Sequence, residues 1–220
     1  MTAALNEPSA DRSSAATAPG KAEQAILLAA ASCFAERGFA ATSVDEVARR
    51  MGYTKGRVYH YFRSKGELFV AAASYGLDRL CDEVEPQAKR AGGACERLNW
   101  MARAHVLTQI RDLPYHRVML QGVTMVVRGA TTPEERTLLT NFLERQRAYE
   151  GIFREVLSVG MVSGDVRPGN LSIIVKTLLL SLNGSCFWFA ERENQGPEEL
   201  GELADQIVSQ ALFGICEAKS

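Results

Sequence analysis

The chain has 220 residues, a hydrophobic fraction of 46% and a formal net charge of −1 at pH 7. This length and composition allow one small domain together with a larger helical core. The near-neutral charge excludes a uniformly basic protein that binds any polyanion loosely, so a local basic segment indicates one defined docking surface.

Residues 1–20 are rich in Ala, Ser, Thr and Pro and have no periodic pattern. Such a segment buries too little apolar surface to fold, and we expect a disordered N-terminal arm. No apolar core follows a basic start, so the sequence predicts neither a secretion signal nor a targeting peptide. The expected location is the cytoplasm.

Two short helices joined by a tight turn are predicted between residues 43 and 62. Ser43 and Glu46 match a capping box, and an apolar face at helical spacing follows until Gly52 ends the first helix. Thr54 can cap the second helix. This arrangement predicts a helix-turn-helix motif.

The second of these helices carries residue types suited to a DNA groove. Its N-terminus at Thr54 favours a phosphate oxygen, because unpaired N–H donors and the helix dipole point there. Gly56 allows close approach to the bases, and Arg57 presents a planar fork that fits guanine O6 and N7. The other outward residues add charge and phosphate contacts: Lys55, Tyr59 and His60.

Residues 49–65 include six basic side chains and no acidic one. A solvated helical face is the alternative explanation of this charge pattern. The capping signals, Gly56 and Arg57 agree with the charge, and together they favour a DNA-binding surface.

These residues resemble the DNA-binding domain of the TetR family of transcriptional regulators. The matching segments are Lys21 to Arg37 with Gly38-Phe39, Ala41-Thr42-Ser43-Val44, Val47-Ala48, Lys55-Gly56, Val58-Tyr59, Tyr61-Phe62 and Ser64-Lys65-Gly66-Glu67-Leu68-Phe69. By position, the resemblance implies phosphate contacts at Thr42, Thr54, Tyr59, His60 and Lys65, and groove-facing residues Lys55, Gly56 and Arg57. Tyr53 and Arg63 depart from the commonest pattern, which leaves the edge of the DNA footprint open.

Beyond Phe69 the pattern is helical almost throughout and strand signals are absent. The predicted helices, bounded by capping, glycine and proline signals, are Ser64 to about Lys89, Cys95–Arg111, Tyr115–Arg128, Pro133 to about Val162, Leu171–Arg192 and Pro197–Ile215. The fold class is therefore all-α with about nine helices. It comprises a three-helix DNA-binding domain (21–69) and a C-terminal effector-binding and dimerisation domain (70–220).

The apolar stretch from Leu171 to Phe189 has nearly the length of a membrane span. Polar residues interrupt it, and no basic flanking loop gives an orientation signal, so we expect no membrane contact. A helix buried between two subunits explains the same composition.

The last predicted helix carries a similar apolar stripe, with Leu203, Ile207 and Leu212 as candidate interface residues. Two such helices from each of two subunits would form a four-helix bundle, the dimer interface that the resemblance implies. One recognition helix reads only a few base pairs, so we expect a homodimer on a palindromic operator in double-stranded DNA.

Methionine and aromatic residues on the middle and late helices are candidates for an effector pocket, with core packing as the alternative for each. They are Trp100, Met101, Met119, Met125, Phe142, Phe153, Phe187 and Trp188. The segment from Leu182 to Trp188, with Pro197-Glu198-Glu199 and Leu203-Ala204-Asp205, resembles the end of a TetR subgroup associated with fatty-acid, steroid-ring or aromatic-acid breakdown. That resemblance implies a small apolar effector, such as an acyl-CoA thioester, that releases a repressor from its operator.

Other functions are open but less well supported. The motifs of serine hydrolases, phosphate-binding loops and zinc proteases are absent, so we expect no enzyme and no cofactor. A TetR-type regulator of drug efflux, or an architectural DNA-binding protein without an effector, is the alternative.

The five cysteines, at residues 33, 81, 95, 186 and 216, form no C-x-x-C pair. We expect reduced, mostly buried thiols, with a redox sensor as the alternative. The three histidines are not spaced with cysteines or carboxylates as ligands, and no metal is predicted.

Overall fold

The computed structural model describes residues 19–128, 132–192 and 195–216, and its regular elements there are helices. They are α1 Lys21–Ala41, α2 Val44–Arg50, α3 Lys55–Tyr59, α4 Lys65–Ala88, α5 Ala94–Arg111, α6 Leu113–Arg128, α7 Pro133–Ser163, α8 Leu171–Asn183, α9 Ser185–Trp188 and α10 Pro197–Leu212. The all-α prediction is confirmed, and in this part of the chain the β-type pairing is a single bridge between Val166 and Cys216. The predicted arm falls almost entirely outside the described residues.

Side-chain caps set several helix starts. Ser43 accepts the backbone N–H of Glu46, and Ser64 accepts that of Glu67 in the same way. At α7, Thr132 and Glu135 cap each other reciprocally as a full capping box. Each cap pairs backbone donors that the first turn of a helix leaves without a partner.

Glycines lie at two breaks in the helical structure. Gly38 has a φ of +80°, so the helical conformation is interrupted there inside α1. The predicted helix from Leu171 to Arg192 is instead two segments, because α8 ends before Gly184 and the short α9 follows it. The chain after Trp188 is extended and no longer helical.

The core runs without a break from the DNA-binding domain into the C-terminal domain. Phe34 of α1 and Phe69 of α4 make an edge-to-face contact with ring centroids 5.1 Å apart, and Phe39 contacts Phe69 at the same distance. Farther along, α4 packs against α5, α6 and α7. One long helix therefore connects the two predicted domains.

Candidate DNA-binding surface and effector cavity

The helix-turn-helix is built by α2, a turn at Gly52 with a φ of +67°, and α3. Val47 and Val58 are buried between these helices and α1, which fixes the angle at which α3 is held. Only half of the predicted capping box forms, because the Glu46 carboxylate pairs with Arg37 at 2.5 Å instead of returning to the cap. The hydroxyl of Thr54 makes no cap hydrogen bond in the structure.

Residues 54–57, 59 and 60, on the outer face of α3, are exposed to solvent. Gly56 has ordinary helical geometry, and a Cβ added to it would meet nothing within 4 Å. No contact within the described chain therefore requires glycine at this position. A partner outside the chain that approaches closely gives glycine a reason to be there.

The basic residues around α3 divide into paired and unpaired groups. Arg50 pairs with Glu36 at 2.7 Å, and Lys55 pairs with Asp45 at 2.7 Å, which raises the pKa of Lys55 through that hydrogen bond. The exposed cations for which the described chain shows no ion pair are Arg49, Arg57 and Arg63. The Arg57 guanidinium lies 4.1 Å from the centroid of the Tyr53 ring.

Thr42 and Lys65, predicted as phosphate contacts, have partners inside the protein. The Thr42 side chain is 2% exposed, and its hydroxyl donates to the backbone oxygens of Cys33 and Gly38. The Lys65 ammonium donates to the backbone oxygens of Phe39 and Thr42 at 2.9 and 3.0 Å. Both side chains therefore stabilise the C-terminal end of α1, because the last carbonyl oxygens of a helix have no donor within the helix.

A cavity of about 420 Å³ lies among α4, α5, α6, α7 and α8. Its inner end is formed by His105, Tyr149 and Asn183, and Gln146 and Glu150 are also part of its lining. Its apolar wall consists of Leu80, Met119, Val123, Leu143, Leu179 and Leu180. Arg147 and Lys176 line the cavity as exposed cations without an ion pair in the described chain. This combination can hold a molecule with an apolar body and an anionic group.

The inner end of the cavity is a buried hydrogen-bonded cluster. The His105 ring lies 2.7 Å through Nδ1 from the Tyr149 hydroxyl and 3.3 Å through Nε2 from Asn183 Oδ1. Burial lowers the pKa of His105 to about 4, so the ring is neutral at pH 7. Nε2–H donates to Asn183 and Nδ1 accepts from Tyr149, which leaves the Asn183 amide hydrogens as donors for a ligand.

The other predicted pocket residues lie elsewhere. Met101 and Phe153 are buried in the core, where Phe153 packs edge-on against His105. Trp100 lies under the Arg90 guanidinium, 4.0 Å from it, and Met125 is half-buried beside the core. Phe187 and Trp188 of α9 point outward, with 73% and 58% exposed.

Sequence reasoning missed the polar members of the cavity. His105 lines the cavity, whereas Gln109, four residues later on the same face of α5, is buried outside that lining and donates to the backbone oxygen of Asn183. Polar side chains at core positions of a helix are the available signal, because burial without partners is costly.

An apolar stripe on α8 and α9 is exposed in the single chain. Ile173 and Leu180 are 63% and 68% exposed, and the stripe continues through Phe187 and Trp188. The window from Leu171 to Trp188 has a mean hydropathy of 1.4, yet only 28% of it is buried. The predicted interface residues of α10 lie half-buried against the core: Leu203, Ile207 and Leu212.

The cysteine prediction is wrong for one pair, because Cys95 and Cys216 form a disulfide. They are 121 residues apart, and only the packing of α10 against α5 brings them together. The described part of the chain contains no group of three potential metal-ligating residues.

The fold and the α3 surface define a helix-turn-helix protein with a helical C-terminal domain. Residues 26–72 match the family described as "Bacterial regulatory proteins, tetR family", and residues 91–215 match "Tetracyclin repressor-like, C-terminal domain". The chain belongs to the TetR family of DNA-binding transcriptional regulators, as the sequence resemblance predicts. It is a regulator and not an enzyme.

Similar proteins cover most of the chain. The transcriptional repressor KstR2 of Mycolicibacterium smegmatis is 23% identical, with 91% of this chain and 94% of that protein aligned. The crystal structure of PfmR from Thermus thermophilus is 29% identical, with a TM-score of 0.69 over 87% of this chain and 99% of that one. AibR, solved with isovaleryl coenzyme A and operator DNA, is 25% identical, with a TM-score of 0.67 over 88% and 98%.

Proposed function

We propose that the protein is a cytoplasmic repressor that binds a palindromic operator as a homodimer and is released by a small amphipathic effector. The observation that carries the DNA-binding part is the exposed face of α3, where Gly56 has no role inside the described chain and Arg57 has no ion pair there. Thr54, Lys55, Tyr59 and His60 extend that face toward phosphates. Arg49 and Arg63 widen the basic surface on either side.

The homodimer is supported by the exposed stripe on α8 and α9. An apolar surface of this kind on one chain calls for a partner, and a two-fold mate presenting the same stripe is self-complementary. We place the half-buried residues of α10 beside this stripe in the interface. Helices α8 and α10 of two subunits would then form a four-helix interface. Contact between two subunits through this stripe would explain the apolar segment from Leu171 to Trp188 without a membrane span.

The effector is proposed to enter the cavity bounded by α4 to α8. Aliphatic walls suit an acyl chain, the Asn183 amide suits a carbonyl oxygen, and Arg147 and Lys176 suit phosphate or carboxylate groups. The complex of AibR with isovaleryl coenzyme A supports an acyl-CoA thioester by analogy. A drug-like apolar compound, the effector expected for a regulator of efflux, has no anionic group to pair with Arg147 and Lys176.

The proposed lever between the effector and DNA is α4. Lys65 at its start is bonded to the end of α1, and Leu80 of the same helix lines the cavity. These residues are separated by about 22 Å along the helix axis. A ligand that displaces Leu80 would therefore shift α1 and move α3 out of register with half-sites about 34–36 Å apart.

The test is a titration of a labelled operator complex with three effector classes: acyl-CoAs, the matching free acids and unrelated apolar drugs. We expect release by acyl-CoAs, and reciprocity requires operator DNA to weaken their binding by the same factor. Lys176→Ala should weaken acyl-CoA binding, whereas Lys89→Ala, an exposed lysine outside the cavity, should not. Release by drugs alone would favour an efflux regulator, and no release by any class would favour an architectural protein.

A further inference from the structure

The disulfide between Cys95 and Cys216 fastens the segment after α10 to the start of α5. Their Cα atoms lie 5.8 Å apart, and the bond closes across 121 residues. Besides the disulfide, the backbone of this segment pairs with the described chain at the bridge between Val166 and Cys216, through the hydrogen bond from Arg167 N to Ile215 O at 2.9 Å. The segment after α10 is therefore held by the disulfide, by this bridge and by the packing of Ile215 against the core.

Cys95 is placed so that its sulfur is accommodated in either oxidation state. It is the second residue of α5, where the helix dipole favours a thiolate. Two carboxylates already accept N–H groups at this end: Asp165 accepts that of Ala94, and Glu96 accepts that of Gly93. The Cys95 Sγ also lies 3.1 Å from the carbonyl oxygen of Asp165, which would accept a hydrogen bond from the thiol after reduction. The Cys95 thiol therefore has an acceptor in place after reduction.

The disulfide is reachable from solvent. Both cysteines are half-buried and line an open cavity of about 620 Å³ with Asn99, Arg167 and Ser209. A small thiol fits such a space, whose charged lining residues are Arg167, Glu96 and Asp205. Thiol–disulfide exchange requires this kind of access to sulfur.

The other three cysteines are less suited to exchange. Cys33 and Cys186 are buried, and Cys81 is half-buried. Burial raises the pKa of Cys81 and of Cys186 to about 11, so almost no thiolate is present at pH 7. Redox chemistry is thereby confined to the Cys95 and Cys216 pair.

We propose that Cys95 and Cys216 form a reversible thiol–disulfide site that controls how firmly α10 is held. A thiolate of an external dithiol attacks Cys216 Sγ, and Cys95 leaves as a thiolate and takes a proton. The second thiol of the reagent then attacks the mixed disulfide and releases Cys216 as a thiol. Two electrons pass to the protein while the dithiol becomes a disulfide, and a small disulfide reverses both steps.

The proposed consequence concerns assembly and rests on the dimer proposed above. The half-buried Leu203, Ile207 and Leu212 of α10 contribute to that interface, so releasing the end of α10 would loosen it. We expect the oxidised protein to dimerise at least about fivefold more tightly than the reduced protein, the lower end of typical coupling between sites.

The first experiment equilibrates the native full-length protein with graded ratios of reduced and oxidised dithiothreitol. Acid quenching, denaturation, alkylation and mass spectrometry then count the thiols. The count should rise from three, the number of free cysteines in the structure, to all five in one step. Cys81→Ser should keep a step of two thiols, whereas Cys95→Ser and Cys216→Ser should each abolish it.

Five alkylated thiols at every ratio, or three even in excess reduced dithiothreitol, would overturn the redox site. These counts are read on wild-type protein and do not depend on dimerisation.

The second experiment measures the dimer dissociation constant of both states by analytical ultracentrifugation. Equal dissociation constants would contradict the proposal that the disulfide controls how firmly α10 is held. A protein that is monomeric in both states would contradict that proposal and the proposed dimer. In either case the thiol count still tests the redox site.

Discussion

The guanidinium of Arg57 is stacked on the ring of Tyr53, 4.1 Å from its centroid, at the exposed end of the helix-turn-helix. Tyr53 is one of the positions where the sequence departs from the commonest family pattern. A cation over an aromatic face gains about 0.5–1 kcal/mol at an exposed site. The contact limits the freedom of a long side chain and holds its planar fork where α3 would enter a major groove.

The first prediction concerns base recognition by Arg57. Arg57→Ala should weaken operator binding by about 1–3 kcal/mol and leave binding to random DNA nearly unchanged, because the bidentate contact to guanine is lost. Fluorescence anisotropy with both DNAs measures the two affinities. Arg90→Ala is the matched control, since Arg90 is also stacked on an aromatic ring but in the C-terminal domain. Equal losses on operator and random DNA would contradict base reading by Arg57.

The second prediction separates stability from DNA binding at Gly56. Gly56→Ala should stabilise the fold by about 0.5–1 kcal/mol, because alanine is the better helix former and its Cβ meets nothing in the described chain. Operator affinity should nevertheless fall about tenfold, a loss of about 1.4 kcal/mol. Gly151→Ala, at another helical glycine with open space, should stabilise without changing affinity. Unchanged DNA binding by Gly56→Ala would remove Gly56 from the interface.

The third prediction concerns Lys65, whose ammonium is bonded to carbonyls at the end of α1. Lys65→Met should lower the free energy of unfolding by about 2 kcal/mol, because hydrogen bonds to a charged group are lost. Urea denaturation measures this change. If Lys65 instead contacts a phosphate, as the resemblance implies, stability will be unaffected and the salt dependence of DNA binding will fall by about 0.9 in slope. Arg63→Ala provides the reference for that slope.

The fourth prediction is a pH dependence of stability from two buried histidines. Burial lowers the pKa of His105 to about 4 and that of His116 to about 3, whereas an unfolded histidine titrates near about 6.5. Below pH 6.5 the unfolded state binds more protons than the folded state. The free energy of unfolding is therefore greatest above pH 6.5 and falls as the pH is lowered toward 4 and 3. The slope contributed is about 1.4 kcal/mol per pH unit for each histidine.

His105→Asn should therefore flatten the stability curve between pH 6.5 and 4, as measured by denaturant titrations at each pH. A curve of wild-type slope for His105→Asn would mean that the ring is protonated in the folded protein.

The fifth prediction concerns the exposed stripe on α8. Leu180→Glu should weaken dimerisation by about 2 kcal/mol or more, because it places a charge in an apolar interface. Leu28→Glu makes the same change at an exposed leucine of α1 and should leave the dimer intact. Sedimentation experiments at several concentrations compare the two variants. A dimeric Leu180→Glu protein would place the interface elsewhere.

Most helix positions could be predicted because their signals are local. Ser64 and Pro133 mark the starts of α4 and α7 to within one residue, and the helix-turn-helix follows from spacing and composition. The break falls at Gly184, a poor helix former between Asn183 and Ser185, yet the apolar pattern that continues through Trp188 favours one helix.

The candidate site was less predictable where distant residues meet. The family resemblance implies a phosphate contact at Lys65, whereas its hydrogen bonds go to carbonyls more than twenty residues earlier and depend on tertiary packing. In the same way, Tyr149 and Asn183 join His105 only through tertiary packing. Aromatic composition predicts Phe187 and Trp188 in a pocket, whereas both side chains are exposed in the structure.

The most direct test of the central proposal is to sequence the DNA fragments that the purified full-length protein selects from a random pool. We expect one enriched palindrome with half-sites about one helical turn apart, or a multiple of that distance, and we expect Arg57→Ala to abolish this enrichment. A pool without an enriched motif, or an enriched motif lacking two-fold symmetry, would contradict an operator-binding dimer.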